Sequence, residues 1–150
     1  WLWQEYLPGA GLSIYQHVEK FKEITKGYDV LVRMGGSHQE DEVRQGYTAH
    51  GWHIQEPNDV NKVEAQILRV IGMHQRNRIK VFRDLEHYLD EKRTFSRKLD
   101  ENGAVTDKIE DEASFHLIAA ERYILSYFTP ETVVSGPRVS VRKAGYRFGG

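Results

Sequence analysis

Three groups of residues have types and spacings suited to chemistry. The first is Gly35-Gly36-Ser37, followed at once by Glu40, Asp41 and Glu42. A glycine turn between a strand and a helix can offer backbone N–H groups to a phosphate. This one lacks the further glycines and the lysine of a phosphate-binding loop, so it reads first as a tight turn. The acids complement the dipole of the helix they open. They also keep a metal role open, because α/β enzymes place carboxylates at the carboxyl ends of their strands. The second group is the seven histidines. His50 and His53 form one short pair around Gly51, and no HExxH pattern exists, so a zinc hydrolase is unsupported. His17, His74 and His87 read as solvated or core-edge side chains. The third group is basic: Arg76, Arg78, Lys80 and Arg83, then Lys92, Arg93, Arg97 and Lys98, interleaved with Tyr88 and Phe95. Acids at 84, 86, 90 and 91 leave a plain solvated surface as the alternative. A projecting ribbon bearing cations would suit sequence-independent contact with phosphates.

Periodicity indicates the elements that must hold these groups. Trp1–Leu7 reads as a strand stopped by Pro8-Gly9. Ser13 with Gln16 is a capping-box pattern, and Ile14, Val18, Phe21 and Thr25 make one helix face before Gly27. Tyr28–Val32 reads as a buried strand, and 39–50 as a polar helix with Val43 and Tyr47 four apart. Trp52–Ile54 and Ile79–Phe82 are short strands. Between them Pro57-Asn58-Asp59 is a turn and cap for a helix whose face is Val60, Val63, Ile67, Val70 and Ile71. Leu85, Tyr88 and Leu89 mark a short helix. Asn102-Gly103 predicts a two-residue turn in a hairpin over 95–109, both positions accepting positive φ. Ser114 opens a last helix with Phe115, Ile118, Arg122 and Leu125 on its stripe. Alternating helices and short apolar strands predict an α/β layer fold with a largely parallel sheet.

Composition narrows the function classes. The chain has 150 residues, 39% of them hydrophobic, which suits one ordinary domain and excludes a disordered chain. With no cysteine, disulfides, thiolate metal sites and a cysteine nucleophile are excluded. No run approaches the roughly 18 apolar residues of a membrane span. The net charge of −1 requires any nucleic-acid footprint to be a local patch. The opening at Trp1 resembles no targeting peptide and reads as half of a strand without its upstream neighbours. Residues 132–150 carry Arg138, Arg142, Lys143 and Arg147 with no acid, a basic tail.

The order of several short motifs resembles one family. They are Gly51-Trp52-His53-Ile54, the run Asn61–Val70 with Val63-Glu64-Ala65-Gln66-Ile67, Arg78–Phe82, the hairpin and Lys108-Ile109-Glu110, and Phe115–Tyr123. Together they look like the C-terminal nuclease domain of tailed-bacteriophage large terminase subunits. There a Val-Glu-x-Gly/Gln-Ile helix precedes a strand, and a closing helix reads His-x-x-Asp-Ala-x-Arg-Tyr. The resemblance covers residues 1–128, with 129–150 a basic glycine-containing tail. It implies an RNase H-like mixed sheet flanked by helices, with a protruding hairpin. It also implies carboxylates that hold Mg²⁺ or Mn²⁺ for phosphodiester cleavage. The substrate would be concatemeric double-stranded viral DNA, and the partners the portal and the small terminase subunit, in the cytoplasm of an infected bacterium.

Carried over residue by residue, the implied site is incomplete. The family's first aspartate lies on a strand expected before Trp1. The second falls near Gly35-Gly36, where Glu40 or Asp41 is the nearest substitute. At the third stands Ala119, while His116 is kept and Asp111 or Glu112 lies close in sequence. Glu40, Asp41, Asp111 and His116 are therefore the catalytic candidates, Asp41 and His116 the metal ligands, and Arg93, Arg97 and Lys98 the DNA contacts. Two divalent ions need several anionic oxygens, so the reading is a fragment or divergent copy with weak or no activity alone. The alternative is an inert DNA- or protein-binding module on the same fold. Ala119→Asp puts a carboxylate one helical turn from His116. Calorimetry should show tighter Mn²⁺ binding than in the parent chain, and an unchanged isotherm would place the ligands elsewhere.

Overall fold

The computed structural model describes residues 1–59 and 62–128. Among the described residues, five α-helices and one antiparallel hairpin make a mixed α/β domain: α1 Ile14–Ile24, α2 Asp41–Ala49, α3 Val63–Gln75, α4 Glu86–Thr94, β1 Arg97–Leu99, β2 Val105–Ile109 and α5 His116–Leu125. Short 3₁₀ turns at His38–Glu40 and Glu112–Ser114 lead into α2 and α5. The basic tail, and Val60 at the head of the α3 stripe, lie outside the described residues.

Helix α1 forms where its sequence signals place it. The Ser13 hydroxyl accepts from the Gln16 amide at 3.3 Å while the Gln16 side chain accepts from the Ser13 amide at 2.9 Å. The two donors orphaned at the helix start are satisfied reciprocally. Its stripe buries Val18 completely and sets Phe21 against Trp52 with ring centroids 5.5 Å apart. Helix α3 buries Ile67, Val70 and Met73, but Ile71 and Leu68 face outward. The inward face thus runs one residue earlier than the apolar pattern indicates, and Gln66 sits on it. That residue's amide donates to the carbonyls of Asn58 and Asp59 at 3.2 Å each. Asp59 is consequently not the side-chain cap; the cap position falls at Lys62. Ser114 likewise lies in the 3₁₀ turn, and α5 starts two residues later.

The expected parallel sheet is reduced, among the described residues, to two isolated parallel bridges, Leu2 with Val81 and Met34 with Gln55. The first is held by Leu2 N–H donating to the Lys80 carbonyl and Phe82 N–H donating to that of Leu2. The second is held by Gly35 and Gln55 amides. Neither extends, and a bridge needs further neighbours to grow into a sheet. Tyr28–Val32 corrects the buried-strand reading most sharply, for Leu31 is 80% exposed. Val30 and Val32 are partly covered while Leu31 faces out, so hydrophobicity alone does not bury both faces of the run. A cavity of about 420 Å³ lies lined by the two bridged regions, with Leu2, Tyr6, Met34, Trp52, Leu85 and Ile124 on its walls.

The hairpin stands out from the helices with Leu99 and Val105 exposed toward its tip, while Ile109 is buried at its base. Its turn differs from the two-residue form. Gly103 N–H donates to the Asp100 carbonyl at 3.0 Å and Asp100 N–H to that of Ala104 at 2.8 Å. Only Gly103, at φ +79, is left-handed. This is a three-residue loop closed by a glycine bulge, which leaves Asn102 in ordinary backbone. Gly103→Ala should therefore weaken the hairpin by about 1 kcal/mol, and Asn102→Ala by much less. Hydrogen exchange at the Asp100 amide reads the difference, and equal effects would restore the two-residue turn.

Candidate nucleic-acid interface

The acids singled out by sequence are engaged locally. The Glu40 carboxylate accepts from the Ser37 amide, closing a second capping box. Asp41 accepts from Gln45 Nε2 at 2.8 Å and lies 3.6 Å from the Arg44 guanidinium. Buried Arg44 also donates to the Ser37 carbonyl at 2.7 Å. Gly36, at φ +78, leaves room for that side chain, because an added Cβ would come within 2.9 Å of Arg44 Nη1. The glycine turn is thus filled by the chain's own cation. Asp111, left-handed at φ 47, accepts from the Ser114 hydroxyl. It lines a cleft of about 410 Å³ with His87, Asp90 and Glu91. His116 is exposed at the first turn of α5. Among the described residues, no group of three or more His, Asp or Glu side chains is arranged to hold a metal ion. His50 packs its ring near Tyr15, whereas His53 reaches Thr48, so that pair shares no site.

One carboxylate that the sequence reading missed organises the helices. Glu121 on α5 has a side chain only 1% exposed and accepts three hydrogen bonds. Lys92 Nζ donates to Oε2 at 2.6 Å, while His74 Nε2 at 2.7 Å and the Tyr88 hydroxyl at 2.9 Å share Oε1. The donors come from α3 and α4, so one carboxylate bonds to both neighbours of its own helix. Two more acids cap helix starts. Glu5 accepts from the amides of His87 and Tyr88, and Glu91 from those of Leu117 and Ile118. Sequence offers a single faint signal for this: Glu121 directly follows the buried-stripe spacing of Ile118. Its partners lie 29 to 47 residues away.

These bonds redistribute the cations. Lys92 belongs to Glu121. Arg93 pairs with Asp90 at 2.6 Å, and Arg97 with Glu64 at 2.5 Å. Of the three expected DNA contacts only Lys98 is exposed without a carboxylate partner among the described residues. The other basic run is different. Arg76, Arg78, Lys80 and Arg83 are all exposed, and none has a carboxylate within bonding distance among the described residues. Ile79 and Val81 alternate with them and turn inward, as an extended segment with one covered face requires.

Compared with protein-family models, curated proteins and solved structures, the chain matches none.

Burial, and then the Glu121 carboxylate, push the Tyr88 hydroxyl far above its usual range. A proton held more tightly in the folded state stabilises it fully below about pH 10 and ceases to do so as pH rises further. Burial raises Tyr47 and Tyr123 as well. Urea unfolding should therefore show stability falling above about pH 10. Tyr88→Phe should make that alkaline decline shallower without removing it, and an unchanged slope would contradict the buried bond to Glu121.

Proposed function

We propose that this chain is a DNA-contacting domain of the kind carried by phage DNA-packaging nucleases, with little or no cleavage activity of its own. The observation that carries the reading is the uneven state of its cations. Four exposed basic residues follow one another along 76–83 without acidic partners among the described residues, while Arg93 and Arg97 at the hairpin base are paired. Unpaired surface cations release the counterions of a phosphate backbone at no cost in broken ion pairs. Cations already held by Asp90 and Glu64 must first give those partners up.

The family resemblance supports an RNase H-like arrangement, and the two parallel bridges beside an apolar cavity are compatible with such a sheet. The low intrinsic activity follows from the acids. Glu40, Asp41 and Asp111 each serve a local cap, turn or ion pair, and position 119 offers a methyl group. If Mg²⁺ or Mn²⁺ binds this domain, Asp41 and His116 are the residues proposed to meet it, and further carboxylates must come from elsewhere. The second reading, an inert binding module, is favoured by the same lack of a convergent acidic group among the described residues.

Fluorescence anisotropy with a short labelled duplex tests the proposal. Binding should be independent of sequence and fall steeply with salt. Reversing Arg78, Lys80 and Arg83 to Glu should weaken it by about tenfold or more, and by more than reversing Arg93, Arg97 and Lys98. Equal effects, or robust Mg²⁺-dependent nicking of plasmid by the unaltered chain, would overturn this reading.

A further inference from the structure

The bridge between Leu2 and Val81 fixes which neighbours face out. Leu2 and Val81 are half-buried, and side chains alternate along extended backbone, so Trp1, Trp3, Lys80 and Phe82 share the opposite face. Exposure agrees: Trp1 is 81% exposed, Phe82 45% and Trp3 41%. Trp1 lies against Phe82 with centroids 5.8 Å apart and planes tilted 55°. Trp3 lies against Tyr28, itself 62% exposed, at 5.1 Å and 34°. Four aromatic rings therefore stand in solvent as two tilted pairs, with Lys80 on their face and Arg78 two residues before it, and neither cation has a carboxylate partner among the described residues. Rings of this size normally bury their surface, and a contiguous exposed patch marks a binding face.

The composition of the patch selects its occupant. Aromatic faces accept any nucleobase by stacking, and adjacent cations track the phosphates between bases. A purely apolar partner would leave Arg78 and Lys80 without counter-charge, and a duplex keeps its base faces stacked inside. We propose that this face is a stacking platform for single-stranded nucleic acid, in which Trp1, Phe82, Trp3 and Tyr28 receive unpaired bases and Arg78 and Lys80 hold the backbone. It rests on the reading of residues 76–83 as a nucleic-acid contact, and extends that reading to strands whose bases are free.

Oligothymidylate is the probe, titrated into the whole chain and followed by tryptophan fluorescence and by anisotropy. Trp1 should be quenched, while buried Trp52 gives a residual signal. Trp1→Ala with Phe82→Ala should weaken oligothymidylate binding roughly twenty-fivefold or more, since two base–ring stacks are lost and each is worth about five- to a hundredfold. The same variant should bind a duplex of equal length within about twofold of the parent. Trp1→Phe should keep most of the affinity, which a structural role for the indole would not explain. Unquenched tryptophan, or equal loss for both nucleic acids, would overturn the platform and leave the duplex reading standing. Absence of any binding to either would remove both. Self-association that disappears in the double variant, without quenching by oligothymidylate, would assign the face to a second copy of the chain and also overturn the proposal.

Discussion

A single buried carboxylate ties α3 and α4 to α5. Glu121 lies where α3, α4 and α5 meet, and its two oxygens take donors from His74, Tyr88 and Lys92. Removing a carboxylate from water costs several kcal/mol, recovered only when partners are close and well aligned. The three donors meet that condition and thereby fix how α3 and α4 approach α5. Apolar packing then fills the space around them. Val70, Met73 and Leu125 form one cluster, and Leu85, Tyr88 and Ile118 another. Among the described residues no continuous sheet serves as a floor, and polar bonds of this kind position these three helices.

The same constraint shapes the surface. Lys92 is drawn inward to Glu121, and Glu91, one residue earlier, is turned onto the start of α5. Glu91, Lys92 and Arg97 therefore bond to other elements of the fold. Arg76, Arg78, Lys80 and Arg83 are exposed and have no carboxylate partner among the described residues. Charge counting along the sequence gives the two runs equal weight. Pairing in three dimensions separates them.

What was legible in the sequence was what local physics decides. The Ser13–Gln16 capping box, the amphipathic stripe of α1, the existence of α3 to α5 and the hairpin all rest on neighbours within one or two turns. The strands were not legible in the same way, because pairing depends on distant partners. Tyr28–Val32 has the apolar content of a buried strand, yet no layer covers Leu31. The hairpin turn was half legible: Gly103 takes the left-handed position, and Asn102 does not. For Glu121 the spacing of three residues from Ile118 is a faint sign of burial, but nothing near it in sequence announces His74, Tyr88 or Lys92. For the site, residue types at the candidate positions were readable, but whether Arg93 or Arg97 already had partners was not.

The account stands on the bond between Glu121 and Lys92, and a double-mutant cycle measures it directly. Glu121→Gln, Lys92→Met and the double variant would be unfolded in urea at neutral pH. A coupling energy of about 2 kcal/mol or more is predicted, with each single change costing more than the double change would suggest by simple addition. Additive effects within about 0.5 kcal/mol would contradict the central role given to this carboxylate.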